Sequence, residues 1–378
     1  MRIAIALAIL LPLPAFAQPK FAFEEGKHGA GELKIVQGLP RLVVAGKPGE
    51  IGEQLGKLIG KGSPNPTPVL NEFLADVGMK DSFPALQKVA GNLKANFPEA
   101  YETELQAFAK GAEYDPDMLH FVNSVYDLSS GLGCATVIVE KDRSATGETL
   151  FGRNFDWVPS KGLPEQTLLL VMKPSGKHAF VSITFAPITG VISGMNAKGL
   201  CATINQIDLK QAKDKSAFNL KGTPMLMIFR QLLEECATID EIETFLKKSK
   251  PMTTASLSTC DEAGGAVFEI TPKSIEKRTA TKGVALCTNK FVSAKLDGDA
   301  KKCWRLEKLE KIQSTDAKLG VDDVFAKLHE VNQKEKTLQT MVFEPKTRTI
   351  HLKIGEGKGK DSASRGKAVT LEFADVFK

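Results

Sequence analysis

A cysteine that follows a flexible Gly-Leu-Gly segment is the residue of this chain best suited to chemistry. Cys134 begins a run rich in Val, Ile and Thr, and a second run of the same kind carries Arg153 and Asp156. Attack of the Cys134 thiol on the Gly133 carbonyl would give a thioester, and hydrolysis would leave Cys134 as a new amino terminus. The freed α-amine can then act as general base for its own thiol. A nearby guanidinium favours the thiolate, and a carboxylate can hold the α-amine.

These three residues also have a simpler interpretation. A single cysteine at the start of a strand is more often a small buried apolar residue than a nucleophile. Arg153 and Asp156 are three residues apart, so strand alternation alone places them on opposite faces, and a bend or strand end is needed for both to reach Cys134. An Arg-Asp pair can also close a hairpin at the surface. By themselves, these residues favour the structural interpretation.

Four motifs in sequence order change that balance. They are Gly133-Cys134, Gly-Arg-Asn-Phe-Asp-Trp at 152–157, Gly-Met-Asn-Ala-Lys-Gly-Leu at 194–200, and Thr288-Asn289. Together they resemble the cysteine-type amino-terminal-nucleophile (Ntn) hydrolases. Within that superfamily the chain is most similar to the isopenicillin N acyltransferase-like family, and more distantly to choloylglycine hydrolases, penicillin V acylases and acid ceramidases. The long helical segment before the cysteine favours the first family, because bile salt hydrolases begin almost directly at their cysteine.

The resemblance implies roles for the residues around the cysteine. Cys134 matches the nucleophile and, with Gly133, the self-cleavage site. Arg153 and Asp156 match the pair that tunes the thiol and binds the new α-amine. Asn205 matches a side-chain amide that stabilises the oxyanion of the tetrahedral intermediate, and such a donor is worth about 3 kcal/mol of barrier. A turn asparagine after a strand is an equally good interpretation of Asn205.

Two further matches lie later in the chain. Asn289 matches a second asparagine, near the amino group of the nucleophile. Arg305 matches an arginine of the family's later helical segment, although arginine on a helix is usually solvated. The chain departs from the family pattern at Ala135, where a hydroxyl residue is common. Asn205 is also one residue nearer the Asn196 motif than in bile salt hydrolases, a difference that a bulge or shorter turn would absorb.

The amino terminus predicts export. Arg2 precedes an apolar run from Ile3 to Ala15, and Ala-Phe-Ala at 15–17 has the pattern of a cleavage site, so we predict a signal peptide over residues 1–17. The run is too short to span a bilayer comfortably. No other long apolar run follows, so we expect a soluble periplasmic or secreted protein with no membrane span.

Charge and motif content argue against several function classes. The formal net charge is +5 and falls to +4 once Arg2 is removed, which is too small and dispersed to indicate nucleic-acid binding. The glycine-rich Lys353–Lys360 stretch lacks a phosphate-loop motif. The 5 histidines are scattered and no Cys-x-x-Cys occurs, so neither a metal nor a cofactor is expected. With Cys134 as the nucleophile, the other cysteines allow at most two disulfides.

The hydrophobic pattern predicts the elements that position these residues. Helices are predicted over most of 49–130, short strands over 134–205, helices at 223–236 and 240–248, strands over 255–288, a helix at 303–312 and a hairpin at 340–352. The resemblance implies an α+β fold, a four-layer αββα sandwich preceded by a mainly helical pro-segment. We therefore predict a signal peptide at 1–17, a pro-segment at 18–133 (the α chain after self-cleavage) and a catalytic domain at 134–378 (the β chain).

Taken with the resemblance, the sequence predicts an exported, self-processing Ntn amidohydrolase or acyltransferase. It would cleave a linear small-molecule acyl amide, either non-peptide or a small peptide, through a Cys134 thioester. Hydrolysis is favoured over transfer, because an exported enzyme meets abundant water and no acyl-CoA feature is recognisable. The pro-segment is expected to stay bound as a subunit, and the oligomeric state is left open. The alternatives are an inactive, uncleaved binding protein of the same fold, and a specialised bile salt, penicillin or ceramide amidase.

Overall fold

The computed structural model describes residues 19–21, 23–62, 66–129, 131–296 and 303–378. The signal peptide predicted at 1–17 lies outside the described residues. Two β-sheets form the centre of the fold, one of ten strands and one of six, and helices pack on the outer face of each. The architecture is α+β, as predicted.

The larger sheet combines strands from before and after Cys134. Its strands are β1 Gly26–His28, β2 Gly31–Val36, β3 Leu39–Gly46, β6 Thr167–Pro174, β7 Phe180–Phe185, β8 Ser193–Asn196, β9 Cys201–Gln206, β10 Ala255–Cys260, β11 Gly265–Ile270 and β12 Ile275–Thr279. They lie side by side in that order. Neighbours are antiparallel except β3 and β6, which run parallel with Arg41 opposite Leu169. The amino-terminal segment therefore adds three strands to a sheet whose other strands all follow Cys134.

The smaller sheet carries the candidate nucleophile. Its strands are β4 Gly133–Val139, β5 Leu150–Asp156, β13 Val284–Cys287, β14 Thr337–Glu344, β15 Thr349–Ile354 and β16 Val369–Leu371. They pair antiparallel in the order β13-β4-β5-β14-β15-β16. Strands β4 and β5 are buried along nearly their whole length, because side chains cover both of their faces. Their near-continuous runs of apolar residues follow from this double coverage.

Three apolar cores separate four layers. Phe151, Val181 and Phe343 belong to the core between the two sheets. The outer face of the smaller sheet packs on α9 Trp304–Glu310 and α10 Val321–Glu330. The remaining helices are α1 Pro48–Gly62, α2 Pro66–Asp76, α3 Phe83–Asn92, α4 Glu99–Ala112, α5 Pro116–Asn123, α6 Val125–Leu128, α7 Met225–Glu235, α8 Ile239–Leu246 and α11 Phe373–Phe377. All of these except α11 contribute to the core on the outer face of the larger sheet, so the layers follow the predicted αββα order.

The helices before Cys134 pack as one unit. Helix α1 approaches α4 so closely that a Cβ on Gly56 would lie 2.6 Å from the Gly111 Cα, and glycine is therefore required there. The Asp115 side chain caps α5 by accepting from the Asp117 amide, and Pro116 occupies the first turn of that helix. None of the described helices combines the length and apolar character needed to cross a bilayer.

The predicted helices at 223–236, 240–248 and 303–312 correspond to α7, α8 and α9, and these predictions are confirmed. The sequence pattern missed β1–β3 and α10. Division of the chain at Gly133–Cys134 stays a prediction. That boundary falls within a single apolar core, because Phe108 of α4 and Phe155 of β5 belong to the same cluster of buried side chains.

Candidate active site

Cys134 lies at the start of β4 with its side chain fully buried. Antiparallel pairing with β5 places Phe155 opposite Cys134 and Arg153 opposite Thr136. Side chains two residues apart on a strand share a face, and directly paired residues share it as well. Arg153 therefore projects to the same side as the Cys134 thiol, and regular strand geometry is enough to bring the two together.

The guanidinium of Arg153 contacts the thiol directly. Its Nη2 donates to Cys134 Sγ at 3.1 Å and to the Ile204 carbonyl at 2.8 Å, and its Nη1 donates to Asn205 Oδ1 at 3.4 Å. The buried Nε has no hydrogen-bond partner among the described residues. Burial lowers the pKa of Arg153, against the opposing effects of Cys134 and Asp156.

Burial also determines the protonation state of the Cys134 thiol. It raises the pKa of Cys134 from 9.0 to about 11, although the Arg153 guanidinium lowers that pKa and the Asp156 carboxylate raises it further. The thiol is therefore protonated at neutral pH in the intact chain. Because the thiolate is the nucleophile, chemistry at Cys134 requires a group that takes the thiol proton.

Asp156 lies on the face of β5 opposite to Arg153, as strand alternation dictates. Its carboxylate accepts from Thr337 Oγ1 at 2.6 Å, Gln333 Nε2 at 2.7 Å and Arg305 Nη1 at 3.4 Å. Burial raises the pKa of Asp156, and these three donors oppose that rise. The Arg153 side chain thus contacts the thiol, whereas the Asp156 carboxylate is linked to the Cys134 main chain through Arg305.

Two side chains hold the main chain of Cys134. Asn289 Oδ1 accepts from Cys134 N at 2.7 Å, and Arg305 Nη1 donates to the Cys134 carbonyl at 2.9 Å. Arg305 Nη2 donates to Asn289 Oδ1 at 2.8 Å, which ties the two together. Arg305 belongs to α9 but is only 9% exposed, so it packs into the site and not into solvent.

Asn205 of β9 completes the group of six predicted residues. Its Oδ1 faces Arg153, and its Nδ2 lies 3.4 Å from the Thr288 carbonyl, which is a long hydrogen bond. Because this hydrogen bond of Asn205 Nδ2 is weak, the side-chain amide is suited to donate to a new acceptor close to the thiol. The structure therefore brings all six predicted residues together from β4, β5, β9, the segment after β13, and α9.

Three glutamine and threonine side chains of the site were missed. Gln206 Oε1 accepts from Leu132 N at 3.0 Å, and its Nε2 donates to the Ser129 carbonyl at 2.9 Å, so it holds the segment before the nucleophile. Asn289 Nδ2 also donates to the Leu132 carbonyl, at 3.3 Å. The neighbouring Asn205 was a weak signal for Gln206. Gln333 and Thr337 had no signal in the sequence.

An apolar crevice lies beside the thiol. The Phe155 ring, opposite Cys134, is 5.9 Å from the Trp157 ring and 5.8 Å from the Phe185 ring, and those two rings line the crevice. Its other walls come from α2, α5 and the segment after β7, including Val69, Leu70, Phe73, Met118, Val122 and Ile188. The cavity volume is only about 50 Å³. In this state the walls nearly close on each other.

Other features of the described residues lie away from this group. A cleft of about 780 Å³ between α7 and α8 is lined by Glu235, Asp240 and Glu241 and contains none of the six residues. Among the described side chains, no group of three or more His, Cys, Asp or Glu residues is arranged to hold a metal ion. All 6 cysteines are buried free thiols. We therefore take the surroundings of Cys134 as the candidate active site.

A family model for acyl-coenzyme A:6-aminopenicillanic acid acyl-transferases matches residues 143–358. The match includes Arg153, Asp156, Asn205, Asn289 and Arg305, and it begins after Cys134. An uncharacterised protein of Archaeoglobus fulgidus is 25% identical in an alignment of 260 residues that covers 60% of this chain and 42% of that protein. The chain thus spans about two fifths of the length of this curated relative.

Three solved structures are also similar. A Caenorhabditis elegans ortholog of N-acylethanolamine-hydrolyzing acid amidase has a TM-score of 0.43 and 17% identity, over 56% of this chain and 93% of that one. A variant of conjugated bile acid hydrolase from Clostridium perfringens has a TM-score of 0.45 and 13% identity, over 65% and 98%. Penicillin V acylase from Agrobacterium tumefaciens has a TM-score of 0.41 and 13% identity, over 65% and 88%.

Proposed function

Because this chain belongs to the acyl-coenzyme A:6-aminopenicillanic acid acyl-transferase family, we propose that it is an exported, self-processing Ntn amidohydrolase or acyltransferase. The observation that carries the proposal is how Cys134 is held. Arg153 contacts its thiol, while Asn289 and Arg305 hold its amide and carbonyl. All three partners follow Cys134 in the chain, so their contacts persist if the Gly133–Cys134 bond is cut. Cys134 would then stay in place as a new amino terminus.

Self-cleavage follows from the position of the thiol beside the preceding peptide. Cys134 Sγ gives up its proton and forms a bond to the Gly133 carbonyl carbon, the bond from that carbon to Cys134 N breaks, and the nitrogen takes up the proton. Water then adds to the resulting thioester, which releases the Gly133 carboxylate and restores the thiol. Gln206 and Asn289 support this step because their side chains hold Leu132 on the amino-terminal side of the bond.

The same residues then serve catalysis on a substrate amide. The α-amine of Cys134 takes the thiol proton, which overcomes the raised pKa of the buried thiol. Arg153 stabilises the thiolate, and Asn289 Oδ1 accepts a hydrogen bond from the amine. The Asn205 amide stabilises the oxyanion of the tetrahedral intermediate, while Asp156 acts through Arg305 on the Cys134 main chain. The amine product leaves with a proton.

The apolar crevice supports an apolar acyl group as the substrate's acyl part. Two of the rings that line it, Trp157 and Phe185, contact the ring of Phe155, which lies opposite Cys134. A linear acyl chain fits a narrow crevice better than a bulky ring system does. Its cavity volume of about 50 Å³ is too small for an acyl chain, so the walls must move apart before one can enter. Water resolves the thioester in the hydrolase reaction, and a second amine resolves it in the transferase reaction.

Buried ionic contacts support retention of the pro-segment as a subunit. Arg230 Nη1 and Nη2 donate to the two carboxylate oxygens of Glu104, at 2.6 and 2.7 Å. Tyr101 of α4 also donates to Glu234 of α7 at 2.8 Å. These contacts join α4, before the proposed cut, to α7, after it. Breaking them would leave charges unpaired in the core, so the two pieces stay associated.

The first test is intact mass spectrometry of the denatured wild-type protein and of Cys134→Ala. We expect two fragments separated between Gly133 and Cys134 in the wild type and one mass in the variant. Cys236→Ala is the matched control, because Cys236 is also buried but lies at the end of α7, outside the site, and it should process like the wild type. A single uncleaved mass for the wild type would remove the α-amine base and favour an inactive binding protein.

A panel of acyl amides then tests the reaction. Linear acyl chains of increasing length on one reporter amine should be cleaved, with release of the free acid, and Cys134→Ala should be inactive. Bile salt, penicillin V and ceramide amides distinguish the specialised alternative. Exclusive cleavage of one of these three would replace the general assignment, and inactivity of the processed protein on every amide would overturn it.

A further inference from the structure

The residue before the nucleophile has no room for a side chain. A Cβ on Gly133 would overlap Gln333 Nε2 and lie 3.2 Å from the Asp156 Cβ. The φ angle of Gly133 is outside the left-handed region that favours glycine. A side chain at this position would therefore force the Gln333 side-chain amide to shift, so the constraint comes from space and not from backbone conformation.

The atom that fills this space is firmly held. The side-chain Nε2 of Gln333 donates to Asp156 Oδ2 at 2.7 Å, and the main-chain N–H of Gln333 donates to Thr337 Oγ1 at 2.8 Å. Thr337 Oγ1 in turn donates to Asp156 Oδ1 at 2.6 Å. A side chain at position 133 would push the Gln333 amide away from Asp156. That carboxylate oxygen would then keep only the longer contact to Arg305, at 3.4 Å, among the partners described above.

The arrangement constrains the scissile peptide from both faces of β4. Consecutive residues of a strand point to opposite faces, so the Cys134 thiol and the position of a residue 133 side chain lie on opposite sides of the peptide between them. Arg153 holds the thiol on one side. Gln333 occupies the other side, against the Gly133 Cα.

We propose that Gln333 is a positioning residue for self-cleavage, an inference that rests on the proposed function. Its side-chain amide, which donates to Asp156, packs against Gly133 and fixes the position of the carbonyl that Cys134 attacks. The same contact selects glycine as the residue before the nucleophile. Gln333 takes no proton and forms no bond in the reaction.

The test is a double-mutant cycle of wild type, Gly133→Ala, Gln333→Ala and Gly133→Ala/Gln333→Ala. Each protein is made by cell-free synthesis, and the cut fraction is followed over time by intact mass. Gly133→Ala should slow cutting by about tenfold or more, the size expected when a hydrogen bond to a charged group is lost. Gln333→Ala should slow it less. The double variant should cut faster than Gly133→Ala alone, because removal of the Gln333 amide makes room for the alanine methyl group.

Controls separate this inference from the proposed function. If the wild type is not cut, the proposed function fails. If the wild type is cut, the inference is overturned when Gly133→Ala cuts at the wild-type rate or when the double variant is as slow as Gly133→Ala. Gln106→Ala, at an exposed position on α4, is the matched glutamine control and should not rescue Gly133→Ala. Melting of each uncut variant against Cys134→Ala shows whether the fold is retained.

Discussion

Arg153 and Arg230 are the two largest fully buried side chains among the described residues, but their partners differ. Arg230 meets two carboxylates: Glu104 through both Nη atoms and Glu234 through Nε at 2.8 Å. Its guanidinium also lies 4.2 Å from the centre of the Tyr101 ring. Arg153 donates to a thiol, a carbonyl and an amide oxygen, and its Nε is unpaired among the described residues.

The two environments have opposite effects on charge. Burial would lower the pKa of Arg230, but the carboxylates of Glu104 and Glu234 raise that pKa well above its ordinary value. Burial lowers the pKa of Arg153, because its neighbours supply less compensating negative charge. The charge of the Arg230 guanidinium is compensated by two carboxylates, which suits it to a structural role. The charge of the Arg153 guanidinium is poorly compensated, so it is available to stabilise a developing thiolate. Arg230 therefore has a structural role and Arg153 a role in the reactive site.

The largest effect on the free energy of unfolding is expected when the ionic cluster around Arg230 is broken. Arg230→Met leaves the Glu104 and Glu234 carboxylates buried without their main partner, and breaking a buried pair in this way costs about 3–5 kcal/mol. We expect the free energy of unfolding to fall by that amount. It is measured by denaturant titration in the Cys134→Ala background, where the chain stays intact and cutting does not complicate the transition.

The matched variant for this prediction removes the charges on both sides. Arg230→Met combined with Glu104→Gln and Glu234→Gln should recover part of the lost stability, because fewer unpaired charges stay buried. In the processed protein, Arg230→Met alone should also let the two fragments separate during size-exclusion chromatography. Wild-type stability in Arg230→Met would contradict the view that this cluster fastens α4 to α7.

A smaller free-energy effect, with a different readout, is expected at the reactive arginine. Arg153→Met removes the cation from the thiol, and kcat/KM should fall about 100-fold or more, as when a donor to a reacting group is deleted. Its loss of unfolding free energy should be smaller than that of Arg230→Met, since Arg153 makes no direct contact with a carboxylate. The measurements are amide hydrolysis and the rate of thiol alkylation. Arg153→Lys keeps the charge and should recover part of the alkylation rate. Equal losses of unfolding free energy in Arg153→Met and Arg230→Met would contradict the assignment of a reactive role to Arg153 and a structural role to Arg230.

The sequence predicted the parts of this comparison that depend on local pattern. Helices α7 and α8 and the paired strands around Cys134 follow from hydrophobic periodicity, which short segments carry by themselves. Strand β3 was missed although it forms a local hairpin with β2; only its other partner, β6, lies more than a hundred residues later in the chain. The pairing of Arg230 with Glu104 could not be predicted either, since Glu104 belongs to another helix and a charged residue in a helical pattern is normally assigned to the solvent side.

The site shows the same limit. Cys134, Arg153 and Asp156 were candidates from their own chemistry and position, whereas Asn205, Asn289 and Arg305 came from the family resemblance. Gln333 and Thr337 depend on the pairing of β14 with β5, which includes a register shift between Thr337 and Gln339. Such a tertiary irregularity leaves no periodic trace in the sequence. Residues brought together by strand pairing can be recognised only when the fold is known.

The rate of self-cleavage should depend on pH. Burial raises the pKa of the Cys134 thiol to about 11, and the intact chain has no α-amine at Cys134. The thiolate fraction, and with it the cutting rate, should therefore rise about tenfold per pH unit between pH 7 and 10. Freshly synthesised precursor is shifted to each pH, and the cut fraction is followed by intact mass. A bell-shaped profile centred near neutrality would show that another group takes the thiol proton.

Stability should change with pH in a related way. The unfolded thiol ionises near its ordinary pKa of 9.0, before the folded one. The contribution of the buried thiol is therefore fully present below pH 9 and is lost as the pH rises towards 11. Cys134→Ala should lose less stability over this range than the wild type, because the Cys134 thiol is gone while the buried thiols of Cys236, Cys260 and Cys287, whose pKa values are also raised, still contribute. Arg230 stays protonated throughout this range because its pKa is raised, so fragment association should be unchanged.

The smallest effect is expected at the rim of the Arg230 cluster. Lys177 Nζ donates to Glu234 at 2.7 Å and to Glu235 at 2.9 Å, but its side chain is 32% exposed, so water and salt screen these pairs. Lys177→Met should lower the free energy of unfolding by less than about 1 kcal/mol, with activity unchanged. Its effect should shrink further in 1 M salt, about the concentration at which charges are screened within a few ångströms, whereas the loss in Arg230→Met should persist. A Lys177→Met loss as large and as salt-resistant as that of Arg230→Met would mean that the cluster acts as one unit, in which a partly exposed lysine matters as much as the buried arginine.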